Sequence, residues 1–128
     1  QDAYIIEGRN RFKPNKGIEL GTSQWLTLHR FKTSGTSTSS AVEELRSKGY
    51  RIVATSPHAG NVELESFDLG KGPAAFFFGN ELDGLTDGMK AQADEFVRIP
   101  MFGFVESFNI SVSCALVLHH LTYTLRQQ

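Results

Sequence analysis

The chain has 128 residues, 40% hydrophobic and 21% charged, with a formal net charge of −1. That fits one globular domain with a real core rather than a disordered segment. No apolar run approaches the roughly 20 residues of a membrane-spanning helix, no signal-peptide pattern opens the chain, and a single cysteine, Cys114, excludes an intrachain disulfide. We read a soluble, cytoplasmic protein, with an organelle as the alternative address. The charge balance does not advertise nucleic-acid binding, so any RNA contact needs a local basic patch.

Residues 3–6 (AYII) form a short run of β-formers and predict a buried strand. Residues 7–21 make a polar loop carrying Arg9, Arg11, Lys13 and Lys16 around Phe12. Residues 25–31 alternate apolar and polar, as a half-buried strand does. The Ser/Thr/Gly stretch 33–40 is a loop that supplies a helix start near Ser39 or Ser40, and Gly49 ends the helix that follows. Residues 50–55 are the next strand, and 62–69 have room for a short edge strand. The uninterrupted apolar run 74–78 (AAFFF) predicts a strand buried on both faces. A helix over 86–93 and a strand over 96–99, stopped by Pro100, come next. Residues 109–126 form the longest helix. Val112, Ala115, Leu116, Leu118, Leu121 and Leu125 give it an apolar face, and Cys114 reads as core.

Strands alternating with helices predict an α/β domain with a mostly parallel sheet flanked by helices, spanning residues 1–128. Ligands of such sheets sit beyond the carboxyl ends of the strands. Three loops occupy that edge, after Thr55, after Phe78 and after Ile99. In the loop 79–85 (GNELDGL), Gly79 and Gly84 permit close backbone approach, and Glu81 can be held at the sheet edge. An ordinary strand-to-helix turn with solvated acids remains the plain alternative. A calcium loop fails on spacing, because with Gly84 as the fixed glycine its first and last positions would be Gly79 and Lys90.

The segment 99–111 (IPMFGFVESFNIS) is rich in large apolar residues, yet Pro100 and Gly103 break it. A loop that greasy is buried or covers a ligand. Its free backbone groups suit the edge of an adenine while its side chains enclose the ring. Ser107 and Asn109 are equally suited to capping the long helix. The four histidines show no zinc spacing, and neither a dinucleotide glycine motif nor a P-loop is present. The basic loop around Phe12 suits phosphates and an unstacked base, or is simply a solvated charged loop.

The stretches FFFGNELDGL and RIPMFGFVESFNISVSCAL resemble, in order and spacing, the second and third motifs of SpoU-type RNA ribose 2′-O-methyltransferases of the SPOUT superfamily. YIIEG and GTSQWLTLHRF add a likeness to the tRNA guanosine-2′-O-methyltransferase branch. The likeness is most specific over residues 76–115. It implies a SPOUT fold whose C-terminal helix threads a trefoil knot, S-adenosylmethionine as cofactor, a tRNA or rRNA substrate, and a homodimer joined through the last helix and the 99–108 loop. Carried over by position, the cofactor contacts are Thr55, Gly79, Ile99, Met101 and Phe108, the last standing where the family more often has leucine. Glu81, Ser107 and Asn109 match positions implicated in catalysis or in holding the target ribose and phosphate. Arg9, Arg11, Lys13 and Lys16 then become candidate RNA contacts. The family's first motif, Asn-x5-Arg on a strand–helix unit upstream of YIIEG, has no counterpart here, so the domain is expected without that unit. A non-catalytic RNA- or cofactor-binding module, or an inactive fragment of such an enzyme, is the rival reading.

Overall fold

The structure is a computed structural model that describes residues 2–7, 13, 15, 17, 20–32, 37–57, 62–80, 83–105 and 107–128. The chain divides into two compact units, residues 1–44 and 45–128. Each is described by itself.

In the first unit, β1 (Asp2–Ile6) and β2 (Thr27–Phe31) pair in parallel, from Asp2 opposite Thr27 to Ile6 opposite Phe31. Tyr4 stacks on His29 with ring centroids 4.3 Å apart and on Phe31 at 6.0 Å. The Tyr4 hydroxyl donates to Glu44 Oε1 at 3.2 Å, and His29 Nε2 lies 3.0 Å from Asp2 Oδ1. Residues 3–6 are half-buried rather than buried, since a two-stranded ribbon covers little of its own surface. Trp25, expected to open β2, falls outside it. Gly21, at φ 81, starts a 3-10 turn over Thr22–Trp25, which leaves the indole exposed and β2 shorter.

Helix α1 (Ser37–Ser47) begins two residues before the expected start and buries Ala41, Val42 and Leu45. It ends at Gly49, whose φ of 82 a side chain would resist. There the Gly49 N–H donates to Arg46 O and the Tyr50 N–H to Leu45 O, the Schellman pattern that satisfies the last carbonyls.

The second unit holds a four-stranded parallel sheet in the order β4-β6-β3-β5, from β3 (Arg51–Thr55), β4 (Val62–Glu63), β5 (Ala74–Phe77) and β6 (Glu95–Arg98). Its remaining helices are α2 (Asp87–Gln92) and α3 (Ile110–Gln127). Val53 and Val97 from the two central strands meet Leu64, Phe67, Val117 and Leu121 in one buried cluster. Burying each such side chain contributes roughly 1.5–3 kcal/mol.

Two expectations change here. The run 74–78 supplies an edge strand in which only Phe77 is buried, the other residues being half-buried. In α3 the buried stripe is centred on Val117 and Leu121, while Val112, Leu116, Leu118 and Leu125 are exposed. The helix carries apolar residues on more than one side, and only one stripe has the sheet beneath it. Cys114 is half-buried, and that burial pushes its thiol pKa up.

Polar ties set the strand starts, at the end of the sheet away from the ligand edge. Arg51 Nη1 donates to Glu95 Oε1 at 2.6 Å while its guanidinium lies 4.8 Å from the Phe67 ring centre. The Asp94 carboxylate accepts from the Ile52 N–H at 2.7 Å and pairs with Arg46 at 2.9 Å. Among the described residues no helix is long and apolar enough to cross a membrane.

Candidate functional site

Because β3, β5 and β6 run parallel, their carboxyl ends share one edge of the sheet. The three loops that leave it converge with the start of α3 on a cleft of about 280 Å³. This is near the lower end of the roughly 300–1,000 Å³ usual for small-molecule sites. Polar bonds brace the strand ends beneath it. The Thr55 hydroxyl donates to Phe77 O at 2.9 Å, and the Ser56 N–H donates to Val97 O at 3.1 Å.

The loop after β5 is folded tightly on itself. The Gly84 N–H donates to Asn80 O at 3.0 Å, and the Asp83 N–H donates to Asn80 Oδ1 at 2.7 Å. Gly84 takes a left-handed φ of 66. Gly79 lies so near the returning chain that a Cβ there would come within 2.1 Å of the Gly84 carbonyl carbon. Glycine at 79 is thus a steric requirement of the loop. The Thr86 side chain then accepts from the Met89 N–H at 3.2 Å and starts α2.

The five residues expected to hold a cofactor, Thr55, Gly79, Ile99, Met101 and Phe108, all line this cleft, as does Ser107. Ile99, Met101, Phe108 and Ile110 form its apolar side. Asn109 does not line it. Its side chain accepts from the Ser111 N–H at 2.9 Å and from the Ser111 hydroxyl at 2.7 Å, capping α3. Glu81, Arg9, Arg11 and Lys16 lie outside the described residues, and Lys13 is exposed.

Lining residues that the sequence reading did not single out include Asn80, Asp83, Lys90 and Ser113. For Lys90 the usable signal was Thr86, an N-cap that fixes the phase of the short helix behind it. Among the described lining residues the acidic and basic groups are Asp83 and Lys90 alone. Such a cleft can bind a ligand with a flat apolar portion and a charged portion. Its described walls hold no histidine or cysteine for covalent work. Among the described residues, no group of three or more His, Cys, Asp or Glu could hold a metal ion.

The segment 102–105 departs from the expectation of a covered loop. Phe102, Phe104 and Val105 project outward at 97%, 108% and 66% exposure. Phe102 and Val105 border a second hollow, which shares Pro57, Ile99 and Met101 with the cleft.

Residues 2–119 match the SpoU rRNA Methylase family. A tRNA (guanosine(18)-2'-O)-methyltransferase of Borreliella burgdorferi is 40% identical over 126 residues, covering 98% of this chain and 56% of the relative. The enzyme of that name from Escherichia coli K12 is 31% identical over 118 residues, 92% of this chain and 49% of its own. The chain therefore spans about half the length of the curated relatives it matches. Among solved structures, the A. aeolicus TrmH/SpoU tRNA modifying enzyme superposes with a TM-score of 0.80 at 27% identity, over 93% of this chain and 58% of that one. The fold is also shared with the SpoU methyltransferase AviRb from Streptomyces viridochromogenes, solved in complex with the cofactor AdoMet. There the TM-score is 0.82 at 23% identity, over 99% of this chain and 51% of that one.

Proposed function

The chain belongs to the SpoU rRNA methylase family, and from that premise we propose that it serves S-adenosylmethionine-dependent methyl transfer to a ribose 2′-hydroxyl of RNA, tRNA before rRNA. The observation that carries the reading is the convergence of Thr55, Gly79, Ile99, Met101, Ser107 and Phe108 on one cleft at the carboxyl edge of a parallel sheet.

The residues present fit that cofactor. Ile99, Met101 and Phe108 offer an apolar side for a purine ring, and the backbone of Gly79, Ile99 and Met101 offers donors and acceptors for its edge. When bound, the cofactor supplies a methyl group activated on a sulfonium. The chain's own work is then positioning and water exclusion, worth far more than covalent help in such a transfer. Ser107, at the mouth of α3, is assigned to the target ribose, together with Glu81, whose carboxylate is assigned the departing proton. Asn109 acts on the same group indirectly, by holding the first turn of α3 against the cleft. Arg9, Arg11, Lys13 and Lys16 supply phosphate contacts to an otherwise near-neutral protein.

The same membership supports a single domain with a trefoil knot through which α3 is threaded, and a cytoplasmic enzyme. It also supports a homodimer. Phe102 and Phe104 on the loop after β6, and Leu116, Leu118 and Tyr123 on α3, are large exposed apolar side chains, some of which a partner copy would cover.

Calorimetric titration with S-adenosylhomocysteine and transfer of labelled methyl to bulk tRNA test the reading together. Binding with incorporation supports it. Folded protein that binds no S-adenosylhomocysteine sinks the cofactor assignment, and incorporation that survives Glu81→Ala, Ser107→Ala and Asn109→Ala combined sinks the residue assignment.

A further inference from the structure

The cleft is uneven in polarity. Ile99, Met101, Phe108 and Ile110 come from the loop after β6 and the start of α3, whereas the acidic and basic lining residues, Asp83 and Lys90, both come from the stretch between β5 and the end of α2. Each is placed by bonds other than its own charge. Asp83 is fixed through its N–H on Asn80 Oδ1, and Lys90 follows the Thr86 cap and the buried Met89 on α2. Lys90 is half-buried and makes no ion pair among the described residues, where Arg46, Arg51, Lys71 and Arg98 each have a carboxylate partner. With no carboxylate partner among the described residues, its ammonium can offer a ligand anion a charge-assisted hydrogen bond.

We infer that Lys90 is a specificity-determining residue of the cleft, its ammonium receiving the carboxylate of the amino-acid tail of a bound S-adenosyl ligand while Asp83 receives that tail's ammonium. The inference rests on the cofactor reading above. One cation on α2 and one anion on the loop before it, both lining the cleft, complement a zwitterion. An RNA phosphate, which carries only negative charge, would gain from Lys90 and be repelled by Asp83. The division of the cleft agrees, with the ring against Ile99, Met101 and Phe108 and the tail toward α2.

Two ligands isolate the tail. S-adenosylhomocysteine and 5′-methylthioadenosine share the adenosine thioether, and only the first carries the amino-acid group. Lys90→Met is expected to weaken S-adenosylhomocysteine about tenfold, the scale of one charge-assisted bond in a partly open cleft. It should leave 5′-methylthioadenosine within about twofold, which doubles as the check that the cleft is still folded, and Lys90→Arg should restore most of the loss. Equal weakening of both ligands, or unchanged S-adenosylhomocysteine affinity with a raised KM for tRNA, overturns the inference. Wild-type protein that binds the two ligands equally well also overturns it while leaving the cofactor reading intact. Wild-type protein that binds neither overturns both.

Discussion

Gly79→Ala drives a methyl group into the chain that returns over the end of β5. An ideal Cβ there stands 2.1 Å from the Gly84 carbonyl carbon, 2.3 Å from Leu85 N and 2.5 Å from Gly84 O. Cβ atoms essentially never approach other heavy atoms closer than 3.0 Å, so the Gly84–Leu85 peptide must retreat by close to an ångström. All three obstacles are backbone, and no rotamer change can relieve them. The retreat stretches the 3.0 Å bond from the Gly84 N–H to Asn80 O. Overpacking costs about 1–3 kcal/mol and a lost hydrogen bond about 1 kcal/mol, so unfolding free energy should fall by about 2–4 kcal/mol. Gly84→Ala is the internal control. Its φ of 66 is left-handed but a Cβ meets nothing within 4 Å, so about 1 kcal/mol is expected. Urea unfolding of the three proteins gives the ordering, and titration with S-adenosylhomocysteine should show Gly79→Ala weakened at least tenfold, because an ångström of displacement is large for a positioned ligand. A Gly79→Ala protein with the wild-type urea midpoint and affinity would refute the close approach and the role built on it.

Acid stability should report on Asp94. Burial acts to raise its pKa, but the Ile52 N–H, the Arg46 guanidinium and the charge of Arg51 outweigh it and leave the carboxyl below its ordinary 3.8. The unfolded chain therefore takes up the proton first. The stabilisation is complete above the ordinary value and drains away as pH falls through the folded one. Asp94→Asn should flatten the acid limb of a urea-midpoint-against-pH curve, and parallel curves would contradict the assignment. Asn109→Ala should lower unfolding free energy by about 1 kcal/mol through loss of the α3 cap, whereas Asn109→Ser retains it. Equal midpoints for the two variants would count against the capping role.

What the sequence disclosed was local. Alternating strand and helix signals located three loops at one sheet edge, and those loops do line one cleft with Thr55, Gly79, Ile99 and Met101. Position within the sheet was another matter. The run AAFFF announces burial by its composition, yet composition cannot say whether strands, helices or a partner provide the cover, and β5 lies at an edge. The stripe of α3 that faces inward was equally hidden, because Val112 and Leu116 are as apolar as Val117 and Leu121. Only the sheet beneath decides between them. Asn109 illustrates a third gap. Residue type fits a cap and a site group alike, and the 2.9 Å bond to the Ser111 N–H gives its carboxamide the first task. Lys90 carries no signal of its own, because a lone lysine on a short helix is usually a solvated one.

The strand order β4-β6-β3-β5 has a consequence for the birth of the molecule. Of these four strands the last to be synthesised, β6, belongs in the middle, between two neighbours made before it. From Thr55 at the end of β3 to Arg98 at the end of β6 the ribosome must add 43 residues, which takes roughly 2–9 s at about 5–20 residues per second. β3 waits through that interval, and β4 from residue 63 onward, on either side of an open slot, with Val97 not yet made. Such long-range parallel pairing makes for slow folding. A nascent chain of this kind is a natural client for whatever shields unpaired strands near the exit tunnel.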